Sequence, residues 1–118
     1  MKKQLIVLLL ALAVTLGFSG TVFAQPGPAK QVSDPQMTVP IYGGTYHPKL
    51  LTVKTGTTVI WVNREREPHT VTSVNGLFNS GHIKPGSHYK LTFTKAGTYY
   101  YYCTLHPTTM RGTLIVRR

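Results

Sequence analysis

From Met37 onward the apolar residues of this chain recur at every second position. Leu51 and Val53 alternate with Thr52 and Lys54, and Tyr89, Leu91 and Phe93 alternate with Lys90, Thr92 and Thr94. A period of two sends successive side chains to opposite faces of a strand and offers no continuous stripe to a helix core. Thr58 to Val62 is apolar on both faces, as a strand inside a sheet would be. The segments 69–74, 97–103 and 112–117 are rich in β-branched and aromatic residues. Turn signals at Thr55-Gly56-Thr57, Lys84-Pro85-Gly86 and Lys95-Ala96-Gly97 separate these runs. No segment has the pattern of an amphipathic helix. The spacing predicts an all-β fold, a Greek-key antiparallel β-sandwich of about seven to eight strands, with a small barrel as the competing architecture.

The first 24 residues have a different character. Lys2 and Lys3 precede an apolar run from Leu5 to Leu16, and Val22-Phe23-Ala24 offers a small-residue cleavage site. This is the pattern of a secretory signal peptide, 1–24, cleaved after Ala24. An uncleaved anchor is the alternative, since Leu5 to Ala24 just reaches across a bilayer, but Gly17, Ser19, Gly20 and Thr21 dilute it. Residues 25–35, rich in Pro, Gly and polar side chains, read as a flexible leader, and 36–118 as the folded domain. Export by a cleaved signal predicts a periplasmic location. Cleavage leaves 94 residues with 11 basic and 3 acidic side chains, a net charge of +8 in place of +10. A chain of this size holds one small core, which excludes a multidomain enzyme and a multi-pass membrane protein.

The chain has one cysteine, so no disulfide forms within it. In an oxidising compartment a lone thiol is buried, bound to something or paired with another chain. Its neighbours favour the second. Cys103-Thr104-Leu105-His106-Pro107-Thr108-Thr109-Met110 sets a thiolate, an imidazole and a thioether within eight residues, where a strand passes into a loop. A loop that folds back brings these three to one ion, and the fourth ligand comes from elsewhere. His69, after Pro68 at the start of another run, is the candidate. Two His, one Cys and a weak axial Met form the donor set of a blue-copper electron-transfer site. Parity places Cys103 on the inward face with Tyr101 and Tyr99.

Around these residues the chain resembles the small cupredoxins, in particular the amicyanins, and more loosely the plastocyanins and pseudoazurins. Trp61 to His69, Leu91 to Tyr99 with Tyr101 and Cys103-Thr104, and His106-Pro107 with Met110-Arg111-Gly112 carry the likeness. It covers nearly all of residues 37–116. The resemblance implies one copper ion held by His69, Cys103, His106 and Met110, one-electron transfer as the activity, and no enzyme. The spacing from His106 to Met110 is one residue longer than in amicyanin and one shorter than in plastocyanin or pseudoazurin. Leu105 stands where amicyanin has proline. Thr70 stands where many members have an asparagine tying the two ligand loops together, and a hydroxyl bond from Thr70 to Thr104 is the expected replacement.

Other readings are weaker. A Cys103–His106 nucleophile pair has no carboxylate or amide placed to orient the histidine. His47, His82 and His88 read as solvated residues, and Met37 as core or leader. Tyr100 and Tyr102 fall on the outer face, either as cross-strand packing or as an aromatic exit beside Cys103. The expected partner is a redox protein with an acidic patch: a c-type cytochrome, a copper nitrite reductase or a periplasmic dehydrogenase. Nucleic acid is not expected, because an exported protein does not meet it and the basic residues are scattered. Stable membrane insertion is not expected either, and the carrier should be a monomer. The rival function is a copper-binding module that delivers or buffers the metal without carrying electrons. The Met-rich or His-rich exposed tracts of such a module are absent here.

Overall fold

The computed structural model describes Gly27 and residues 34–118. The expected signal peptide, 1–24, lies outside the described residues. So does the expected leader, 25–35, apart from Gly27, Asp34 and Pro35.

Eight strands form two four-stranded sheets. In chain order they are β1 (Gln36–Tyr42), β2 (Thr45–Tyr46), β3 (Leu50–Lys54), β4 (Thr57–Asn63), β5 (Thr72–Ser73), β6 (His88–Phe93), β7 (Gly97–Tyr102) and β8 (Arg111–Arg117). The first sheet runs β2-β1-β4-β6 and the second β3-β8-β7-β5. The all-β sandwich expected from the alternation is what forms. Both sheets are mixed, however, because β1 runs parallel to β4 and β3 parallel to β8. Alternation dictates which face a residue takes but not which neighbour its strand chooses, so the two parallel pairs leave no mark in the pattern.

β4 lies between β1 and β6 and is buried along most of its length, as its two-sided apolar run requires. β1 and β2 join through Gly43 and Gly44, both at positive φ (61° and 66°), with Tyr42 opposite Thr45. A two-residue hairpin loop matching the strand twist needs positive φ at both positions, which Gly-Gly supplies at little steric cost. β5 is shorter than its composition suggests. From His69 to Val71 the backbone bonds to Ile83 and Ser80 instead of a neighbouring strand.

The core centres on Trp61, whose ring lies 5.5 Å from Tyr101, 5.9 Å from Tyr89 and 6.2 Å from Phe93. Tyr101 meets Tyr46 edge to face at 4.8 Å. Gly112 is the register partner of Tyr101, and the Tyr101 ring occupies the space a Cβ at 112 would need. Met37 is half-exposed on β1 and takes no part in the core. Among the described residues no helix is long and apolar enough to cross a membrane.

Candidate metal centre

The four expected ligands arrive from two loops at one end of the sandwich. β7 delivers Cys103 one residue past its end, inward like Tyr101, and the thiol is fully buried. The following loop closes on itself through the backbones of the candidate ligands. The His106 amide donates to the Cys103 carbonyl at 3.1 Å. The Met110 amide donates to His106 at 3.0 Å, and the Cys103 amide to Met110 at 3.0 Å. Met110 is fully buried, whereas Pro68, Leu105 and Pro107, which flank the two histidines in sequence, are exposed.

His69 comes from the loop after β4. Its amide and carbonyl pair with Ile83 at 3.2 and 2.7 Å, which clamps its backbone. The buried Asn63 side chain holds the same loop: its amide group donates to the carbonyls of Glu67 (2.7 Å) and Ile83 (2.9 Å), and its oxygen accepts the Glu65 amide at 2.9 Å. Glu65 then reaches the His69 ring, with Oε2 2.9 Å from Nε2. Its other oxygen accepts the Gly44 amide at 2.5 Å. That amide bond, with a smaller contribution from His69, holds the Glu65 carboxyl below its ordinary range. An ionised Glu65 accepts only, so Nε2 donates to it, and the Nδ1 edge of the ring turns toward Cys103. Nδ1 lies 3.8 Å from the Cys103 sulfur.

The sulfur has a second polar neighbour, the Thr70 amide at 3.3 Å. The Thr70 hydroxyl accepts the Thr104 amide at 2.8 Å and lies 3.3 Å from the Thr104 hydroxyl. The expected tie between the two ligand loops is therefore present. Tyr46 fixes Thr70 from beneath by donating to its carbonyl at 2.5 Å. Burial pushes the Tyr46 phenol up, so it remains a donor.

His106 is half-buried, and its ring lies 5.5 Å from that of His69 at 47°. The structure thus pairs His69 with Cys103 and His69 with His106. Among the described residues no three His, Cys, Asp or Glu side chains are gathered closely enough to enclose a metal by themselves. The donor chemistry nonetheless fits a soft metal ion: a buried thiol faces an imidazole nitrogen, and the residue whose backbone closes the loop carries a buried thioether. The remaining histidines stand apart. His47 stacks on Tyr42 at 3.6 Å and bonds to its carbonyl, while His82 and His88 are exposed.

Asn63, Glu65 and Gly44 were not singled out from the sequence. The readable signal was Gly43-Gly44 between two strand runs, a hairpin turn whose second amide ends at Glu65.

Residues 7–116 match the family model described as the cupredoxin-like domain. Amicyanin of Paracoccus denitrificans is 43% identical over 96 residues, covering 77% of this chain and 72% of that one. Plastocyanin of Prochlorothrix hollandica is 33% identical over 105 residues, 80% of each chain. Among solved structures, a Cu(I) form of an amicyanin mutant superposes with a TM-score of 0.67 at 42% identity, over 74% of this chain and 87% of that one. A reduced amicyanin mutant gives 0.67 at 41%, over 79% and 92%.

Proposed function

Since the chain belongs to the cupredoxin-like family, we propose that it is a one-electron carrier, not an enzyme, with a single type 1 copper held by His69, Cys103, His106 and Met110. The observation that carries this reading is the setting of Cys103. Its buried sulfur has His69 Nδ1 at 3.8 Å and the Thr70 N–H at 3.3 Å. Copper bound there supplies reversible one-electron redox chemistry. The chain's own residues hold the site still. Glu65 fixes the His69 ring, Asn63 fixes the loop beneath Glu65, and the Thr70–Thr104 contact ties the His69 loop to the Cys103 loop. A donor set that does not rearrange lets an electron arrive or leave with little reorganisation. The Thr70 N–H donates into the sulfur and so tempers its charge, one of the levers that set potential in such sites.

His106 is the least buried of the four, and the exposed Pro68, Leu105 and Pro107 around it suit brief docking. Tyr102, next to Cys103 and half-buried on the outer face, is a further exit route. Basic side chains neighbour the ligand loops: Arg64, Arg66, Lys84 and Arg111. Among the described residues no Lys or Arg pairs with a carboxylate, so these cations are free to attract an acidic redox partner, as a c-type cytochrome, a copper nitrite reductase or a periplasmic dehydrogenase would be. The carrier acts as a monomer in the periplasm after export. With an acidic partner, the second-order transfer rate should fall as salt is added, because screening weakens the attraction. A rate that rises with salt would refute this steering.

Protein recovered from the periplasm should have the intact mass of a chain beginning at Gln25. On addition of Cu(II) it should develop an intense blue or green thiolate-to-copper band and then cycle reversibly in voltammetry. Absence of the band refutes the type 1 site. A band without reversible cycling points to the delivery module instead.

A further inference from the structure

The outward side of the second sheet carries an apolar row that the metal centre does not use. Register sets Leu50 beside Thr113 and Thr113 beside Tyr100, and the Val74 amide donates to the Tyr100 carbonyl at 2.9 Å. Leu51 and Tyr101 pack with the core, so alternation turns Leu50 and Tyr100 outward. Leu50, Tyr100 and Val74 are 60%, 60% and 57% exposed. The row crosses three strand spacings, about 14 Å.

Cations flank it on both sides. Lys54 and Arg117 are register partners, both exposed. Like charges side by side on a sheet cost stability, and no carboxylate pairs with either. Toward the other end Arg111 lies over the Tyr102 ring at 5.6 Å. The three acidic residues of the chain are elsewhere: Asp34 precedes β1 of the first sheet, and Glu65 and Glu67 lie in the loop after β4. No pocket indents the surface of the described residues.

We propose that this face adsorbs the protein to an anionic phospholipid surface. Leu50, Tyr100 and Val74 would enter the headgroup layer, where tyrosine is at home, and Lys54 and Arg117 would meet the phosphates. A lipid layer suits this face because an apolar row holding a tyrosine, with cations beside it, matches the headgroup region and the phosphates together. The contact is peripheral and leaves the His106 edge uncovered. It does not depend on copper.

The test is sedimentation of the exported protein with phosphatidylcholine vesicles, with and without phosphatidylglycerol, at low salt. Binding is expected only with the anionic vesicles. Lys54→Gln with Arg117→Gln should weaken it about 25-fold, roughly fivefold per charge removed. Leu50→Ser with Val74→Ser should weaken it as well. Arg66→Gln with Lys84→Gln, near the metal centre, should change it by less than about threefold, because those residues belong to the His69 loop and the segment paired with it and not to β3 or β8. Near-ultraviolet circular dichroism checks that each variant is folded. Equal binding to neutral vesicles, no binding at all, or an equal loss in the Arg66/Lys84 variant would each overturn the proposal. So would binding to a polyanionic protein but not to lipid.

Discussion

Replacing Gly112 with alanine should destabilise the domain by about 3 kcal/mol, the upper range for overpacking a filled core. The cause is local. The Tyr101 ring lies across the backbone of Gly112, its register partner, in the space the new methyl would need. The ring has nowhere to retreat, since it is held edge-on by Trp61 at 5.5 Å and by Tyr46 at 4.8 Å. For a domain of this size the loss corresponds to a fall in melting temperature of roughly 15 °C. The penalty should shrink in a Tyr101→Leu background, because the methyl then meets a smaller neighbour, and this non-additivity identifies the cause. A change within about 0.5 kcal/mol, as at an ordinary surface site, would show that the ring adjusts freely. Gly112 also follows Met110 by two residues, so a shift of β8 there should broaden the copper band of the loaded protein.

Asn63→Ala should cost a similar amount, about 3 kcal/mol, by a different route. Three hydrogen bonds are lost together, and two carbonyls and one amide lose their partner where water has little access. The larger consequence falls on the metal centre. Asn63 holds Glu65, Glu65 orients His69, and His69 faces the sulfur. Loosening the first link should lower copper retention against a chelator as well as stability in denaturant. Asn63→Asp keeps the acceptor for the Glu65 amide but sets a buried carboxylate oxygen against the Glu67 and Ile83 carbonyls, so it should destabilise the domain more than alanine does. If Asn63→Ala lowers stability but leaves the spectrum and copper retention untouched, Asn63 supports the fold alone.

Much of the fold was legible because strands announce their faces. The inward triplet Tyr89, Leu91, Phe93 and the two-sided run of β4 could be read from one sequence. The candidate ligands were equally readable, since Cys103, His106 and Met110 share one loop. Even the Thr70–Thr104 contact followed from asking what replaces a missing asparagine. What escaped were pairings between distant segments. Gly44 and Glu65 are 21 residues apart, and only the parallel seat of β1 on β4 brings the hairpin turn to the His69 loop. Gly112 looked like an ordinary glycine in a strand, because its role lies in the ring above it and not in its own backbone. The segment 69–74 read as one strand because β-branched and buried residues favour that assignment, whereas its first half bonds to Ile83 and Ser80 instead.

The placement of β3 carries a consequence for the order of folding. Its one sheet neighbour is β8, so Leu50 waits for Thr113 and Lys54 for Arg117 before the second sheet can be completed. Pairings this remote in sequence are slow to close. The amide of Cys103 bonds to Met110, which directly precedes β8, so the seal over the thiol belongs to the same late event. While the chain folds, the cysteine is therefore most exposed before the last strand docks. Variants that delay that docking should stay reactive for longer toward an aromatic disulfide added during refolding, which takes the Cys103 sulfur into a mixed disulfide and releases one thiolate, even when their finished structure is sound.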